Sequence, residues 1–93
     1  MQLKEISNIL ENWCPLNSAE EFDNVGLLVG NSNEIVNKAI ITIDTTEEVV
    51  DEAIKNDCNL IITFHPIIFN GLKNITEQTY VERIVFRAIR NNI

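Results

Sequence analysis

Ninety-three residues suffice for one small domain, 1–93, and not for two. Hydrophobic side chains make up 45% of the chain, enough to build a core, although a domain this size buries a smaller share of its surface than a large one. Fourteen acidic residues against seven basic ones give a formal net charge of −7, and the bases are scattered; this is the wrong balance for holding nucleic-acid phosphates or an anionic lipid surface.

The start, Met1-Gln2-Leu3-Lys4-Glu5, lacks a basic segment followed by an apolar one, so no secretory signal is visible. No apolar run approaches the length that spans a bilayer. Cys14 and Cys58 lie far apart and outside any CxxC pair, which reads as two reduced thiols in or near the core of a cytoplasmic protein.

Leu3, Ile6, Ile9, Leu10 and Trp13 recur at helical spacing and predict an amphipathic helix over 3–13, stopped by Pro15. Ser18-Ala19-Glu20-Glu21 fits a capping box and a short helical turn. Phe22-Asp23-Asn24-Val25-Gly26 is turn chemistry leading into Leu27-Leu28-Val29, a short apolar run between two glycines that reads as a buried strand. Lys38 to Ile43 is β-branched and predicts a second strand. A helix over 46–56 follows, with Thr45 as its cap, Glu47 and Glu48 at its positive end, and Asn56-Asp57 closing it.

Asn59 to Thr63 predicts the next strand, so strand, helix and strand form a βαβ unit with parallel strands. The chain then turns at Asn70-Gly71, and Tyr80, Val81, Ile84, Val85, Ala88 and Ile89 predict a long helix over 77–91. Ile93 reads as the first residue of a further strand, as in a fragment of a larger domain. The fold class is therefore α/β, layered, with a mixed and mostly parallel sheet in the order α-β-β-α-β-α. The first and last helices have broad apolar faces, suited to further chain or neighbouring subunits and prone to self-association if bare.

His65, the single histidine, follows the strand Leu60-Ile61-Ile62-Thr63 and precedes Pro66. Carboxyl ends of parallel strands face the crevice where sites form. An imidazole there is a candidate ligand for zinc, iron or a similar ion, or else a histidine hydrogen-bonded near the core. Asp44, at the end of the neighbouring strand, fits an orienting partner for a ligand, a ligand itself, a proton acceptor or a helix N-cap, and its Thr-Thr-Glu-Glu context favours the cap. Asp23 and Asn24 read on local grounds as turn-closing residues. The acidic run Glu47, Glu48, Asp51 and Glu52 reads as a solvated helix face. Gly26 to Gly30 has neither the lysine and hydroxyl of a phosphate loop nor dinucleotide-binding spacing, and a catalytic triad is excluded by the lack of a nucleophile elbow and of a second histidine.

Three blocks in order resemble the Nif-three-like dinuclear-metal proteins, some of which are known as GTP cyclohydrolase I type 2 homologues. Glu20-Glu21-Phe22-Asp23-Asn24-Val25-Gly26-Leu27-Leu28-Val29-Gly30 is similar to the E-x-W-D-N-V-G-L-x-x-G signature, Asp44-Thr45-Thr46-Glu47-Glu48-Val49-Val50-Asp51-Glu52-Ala53 to the strand-to-helix block after it, and Leu60 to Phe69 to the metal-binding H-H-P-x-x-F block. The resemblance covers essentially the whole chain and implies the N-terminal part of a larger domain. It further implies two divalent metal ions per full subunit, a hexameric homo-oligomer, and a metal-dependent hydrolase that opens a purine nucleotide ring, with GTP as the small-molecule substrate. The alternative is a non-catalytic hexameric scaffold or regulatory binding protein with structural metals. Under the resemblance His65 is a metal ligand, and Asp23, Asn24 and Asp44 are signature positions near a cleft. Phe64 stands where many members carry a first histidine; phenylalanine cannot ligate, so one metal of the pair loses a donor. The family's other ligands, a His-x-x-x-Asp block and a His…Glu pair, fall beyond Ile93, and an ion needs about four to six donors.

Overall fold

The computed structural model describes residues 1–14 and 25–93. Five elements follow in the order α1 (Leu3–Trp13), β1 (Ala39–Thr42), α2 (Glu47–Lys55), β2 (Leu60–Thr63) and α3 (Tyr80–Arg90). No helix among the described residues is long and apolar enough to cross a membrane.

β1 and β2 pair in parallel, Ala39 with Leu60 through Thr42 with Thr63. The ladder continues past the formal strand ends, with the Phe64 amide donating to the Thr42 carbonyl at 3.1 Å and the His65 amide to the Ile43 carbonyl at 2.9 Å. Asn59 sets the start of the register. Its amide donates to the Lys38 carbonyl at 2.9 Å, and its side chain donates to the Ile35 carbonyl at 2.8 Å while accepting from the Asn37 amide at 2.9 Å.

α2 packs on β1 and on α3. Its apolar stripe places Val50 and Ala53 fully inside, against Ile84, Val85 and Ala88 of α3, all buried. Half of the acidic run on α2 is not merely solvated: Arg83 Nε reaches Glu47 at 3.2 Å and Arg87 Nη2 reaches Asp51 at 2.5 Å. Each pair is partly exposed, so each contributes little to stability.

Both later helices end in the same way. Asn56 and Asn91 are the C-caps of α2 and α3, and Asp57 and Asn92 after them take left-handed φ values of 58° and 59°. The next amides, of Cys58 and Ile93, return to the Ala53 and Ala88 carbonyls, each at 2.8 Å. This is the Schellman closure, with an Asp or Asn where glycine is commonest. α1 starts without a side-chain cap; its Leu3 and Lys4 amides donate instead to the carbonyls of Glu34 and Ser32 in the loop before β1, both at 2.8 Å.

Several expectations are corrected. Leu27-Leu28-Val29 forms no strand: the run is three residues long, and Gly26 and Gly30 at its ends have φ of 100° and 118°, which turns the chain out of an extended path. The element order among the described residues is therefore α-β-α-β-α, still α/β. The α2 cap is Thr46 rather than Thr45; its hydroxyl accepts from the Val49 amide at 3.2 Å. α3 begins at Tyr80 and not at 77, because Glu77 has φ of 63° and Thr79 is the cap. The Ile93 amide belongs to the closure of α3. Cys58 is buried as expected, but Cys14 is exposed, and both are free thiols. The capping box at Ser18 lies outside the described residues.

The start of α3 is a capping box, Thr79 with Glu82 three residues on. Glu82 is buried, and its carboxylate accepts from the Thr76 amide and hydroxyl, both at 3.1 Å, and from the Thr79 hydroxyl at 2.9 Å. The Thr76 amide is the main cause that holds the Glu82 carboxyl below its ordinary range; burial acts in the opposite direction, and the Thr79 hydroxyl, Gln78 amide and Thr76 hydroxyl add to the lowering. A carboxyl depressed in the fold contributes stability that is present above its ordinary pKa and is lost as pH falls through the depressed one. Thermal melts in acid are therefore expected to lose stability below the ordinary glutamate range. Glu82→Gln is expected to melt lower at neutral pH and to show a flatter acid limb; an unchanged acid limb would contradict this account.

Candidate functional site

The parallel register has one consequence for chemistry. Every β1 residue faces the β2 residue twenty-one positions later. Carried two steps beyond Thr42 and Thr63, the same offset sets Asp44 beside His65. Their side chains meet there: His65 Nδ1 lies 2.5 Å from Asp44 Oδ1. Both are well exposed, 57% for the histidine side chain and 63% for the aspartate. Among the described residues His65 Nε2 has no hydrogen-bond partner.

Each strand end is braced by a threonine. The Thr42 hydroxyl donates to the Asp44 carbonyl at 2.9 Å. The Thr63 hydroxyl lies 3.0 Å from the His65 carbonyl and 3.1 Å from that of Ile43, sharing one proton between the two strands. Phe64 is 80% exposed, with its ring edge-on to the imidazole at 5.0 Å between centroids. Together with Ile41, Ile43 and Ile62 it lines a shallow apolar groove that ends at His65.

The sequence expectations at this site divide three ways. His65 is at the strand end as expected, and it is not buried near the core. Asp44 does not cap α2; its carboxylate is on His65 and Thr46 does the capping. Asp23 and Asn24 lie outside the described residues. The threonine braces were not anticipated, although the repeated Thr-x-Asp and Thr-x-His at the two strand ends carry the signal. Among the described residues no group of three or more His, Cys, Asp or Glu side chains gathers as an ion cage. A second, deeper cavity of about 640 Å³ opens between α1, the 25–29 run, β2 and α3, but neither Asp44 nor His65 lines it, and aliphatic side chains such as Ile6, Leu10, Ile61 and Ile84 dominate its wall.

Chemically the pair is a carboxylate against one imidazole nitrogen, while the other has no hydrogen-bond partner among the described residues. Such an imidazole can take up a proton or lend a lone pair to a cation.

A helix-linked pair of parallel strands with polar side chains gathered at their carboxyl ends defines an α/β protein whose candidate site is at the strand ends. Comparison with known proteins identifies the family. The family model of Duf34/NIF3 (NGG1p interacting factor 3) matches residues 1–93, and the chain belongs to this family. It is 41% identical over 93 residues to a GTP cyclohydrolase 1 type 2 homolog of Clostridium acetobutylicum and 43% identical over 94 residues to NIF3-like protein 1 of Homo sapiens. All of the chain is covered in both, against 35% and 25% of the relatives, so it spans a quarter to a third of their length. Among solved structures it is similar to Staphylococcus aureus protein SA1388, with a TM-score of 0.95 and 35% identity, covering 100% of this chain and 30% of that one. It is likewise similar to reduced HcgD of Methanocaldococcus jannaschii, with a TM-score of 0.89 and 30% identity over all of this chain and 37% of that one.

The Thr63 brace yields a test. Thr63→Val keeps the shape and removes the shared proton, and is expected to cost about 1 kcal/mol in denaturant unfolding. The amide resonances of Phe64 and His65 are expected to shift while those of α3 stay in place; a uniform change throughout the chain would count against a local brace.

Proposed function

We propose that this chain contributes His65 as one donor to a divalent-metal site, and that the intact protein is a metal-dependent hydrolase acting on a purine nucleotide. The observation that carries the reading is the Asp44–His65 pair at the carboxyl ends of β1 and β2, on an exposed imidazole whose Nε2 has no hydrogen-bond partner among the described residues. The donor chemistry fits such an ion: a neutral imidazole backed by a carboxylate suits zinc, iron and similar metals. The names of the relatives, GTP cyclohydrolase 1 type 2 homologs, support the substrate class. One imidazole is far fewer than the four to six donors or so that an ion takes, so the remaining ligands come from other chain.

When bound, a divalent ion would lower the pKa of a water and polarise a substrate oxygen. The residues of this chain have simpler tasks. His65 would hold the ion, Asp44 is hydrogen-bonded to Nδ1, and Thr42 and Thr63 brace the two strand ends.

A second reading is a non-catalytic oligomeric scaffold, a hexamer by family likeness, in which bound metals are structural. The observation in its favour is the bare apolar groove: Ile41, Ile43 and Phe64 are 78%, 66% and 80% exposed; by the resemblance, Phe64 also stands where many family members carry a first histidine. The two readings are separated by measuring metal content and nucleotide ring-opening in the intact protein and in His65→Ala. The enzyme predicts that both fall together. A scaffold predicts that metal falls while partner binding and assembly persist without any turnover in the unaltered protein. Unchanged metal content in His65→Ala would remove the imidazole from the ligand set.

A further inference from the structure

We infer that Asp44 is the positioning residue of His65: its carboxylate keeps the imidazole proton on Nδ1, and so presents Nε2 as the donor atom. The inference rests on the reading of His65 as a ligand, and adds to it which nitrogen binds and which side chain makes it so.

Four observations carry it. The first is protonation logic. An ionised carboxylate can only accept a hydrogen bond, so an Oδ1 at 2.5 Å from Nδ1 requires the proton to be on that nitrogen. In the neutral ring Nε2 then bears the lone pair. The second is distance. Two atoms bound to one ion at about 2.0–2.2 Å each sit about 3 Å or more apart around it. Nδ1 and Oδ1 are closer than that, so they bond to each other and do not share an ion.

The third is that Asp44 has no competing structural task. The helix that follows is capped by Thr46, whose hydroxyl accepts from Val49. An aspartate two residues earlier is therefore free for the neighbouring strand. The fourth is that the meeting is built into the backbone. The twenty-one-residue offset of the ladder, the His65 amide on the Ile43 carbonyl and the threonine brace at each strand end place the two side chains together.

The test uses the intact protein, stripped of metal and held at mildly alkaline pH, where an imidazole is neutral. Long-range nitrogen–proton NMR correlations report which ring nitrogen is protonated, and the His65 signals are assigned by their loss in His65→Ala. The unaltered protein is expected to show the Nδ1–H tautomer. Asp44→Ala is expected to move the proton to Nε2 and to weaken zinc binding, followed by calorimetric titration, about 10–100-fold. Asp44→Asn offers Nδ1 an amide that donates as well as accepts, so it is expected to lose the Nδ1–H preference and to weaken zinc binding as Asp44→Ala does. A purely structural aspartate would not move the tautomer.

An Nε2–H tautomer in the unaltered protein would overturn the inference, as would a tautomer that Asp44→Ala leaves in place. If His65→Ala loses zinc affinity and Asp44→Ala does not, the positioning role fails and the ligand reading survives. If His65→Ala itself leaves zinc affinity intact, the ligand reading falls first and takes the inference with it. Circular dichroism melts of the variants show that each is folded; both side chains are well exposed, so neither substitution leaves a hole in the core.

Discussion

The parallel pairing of β1 with β2 is the constraint from which the rest follows. A strand has a side-chain period of two, so a slip of one residue would invert both faces of the sheet at once. It would put Asp44 opposite Phe64 or Pro66, carry Thr63 away from the Ile43 carbonyl and drive polar side chains against α2. Register is held at both ends. Asn59 ties the start of β2 to the segment before β1, and the threonine pair ties the far ends. Between them three aliphatic pairs and the buried face of α2 leave the strands little freedom to slide. A site made from one residue at the end of each strand is thereby placed by main-chain geometry.

The same economy governs the helices. α2 and α3 are joined by a small aliphatic core and two arginine–carboxylate pairs, and α3 is anchored at its start by Glu82, whose carboxylate takes up donors from the chain that leads into it. α1 is tied at its N-terminus by carbonyls of the 32–34 loop and is otherwise sparsely covered, with Trp13 85% exposed. The broad apolar face expected of the first helix is thus open among the described residues, whereas most of the corresponding face of α3 is covered by α2.

What was legible in the sequence was whatever is encoded locally. The 3.6-residue spacing from Leu3 to Trp13 marks α1 to the residue, and the β-branched runs 38–43 and 59–63 mark both strands to within one or two positions. The βαβ spacing implies parallel pairing, and the strand-end position of His65 implies an exposed rim. Local reading fails where backbone dihedrals or distant partners decide. Nothing in Leu27-Leu28-Val29 shows that both flanking glycines turn the chain. Nothing in the Glu77 neighbourhood shows a left-handed residue delaying α3, although Thr79 and Glu82 do spell out a capping box. Asp44 looked like a helix cap because its neighbours are cap residues; its real partner is twenty-one positions away. The ion pairs across α2 and α3 are likewise invisible without the packing. The resemblance to a known family raised the three signature blocks together, and the Duf34/NIF3 match bears that out.

The two Schellman closures bear on how the chain behaves when it is not folded. Glycine is the usual occupant of the left-handed position because it pays no steric penalty there, yet it also loses the most backbone freedom on folding. With Asp57 and Asn92 in those positions the chain accepts a little strain in the native state in return for a denatured ensemble with fewer conformations to search. The two effects oppose one another, so the stabilisation that a glycine normally brings to a helix end is largely offset at these two positions. With three glycines in ninety-three residues, few positions of this chain bring glycine's backbone freedom to the denatured ensemble.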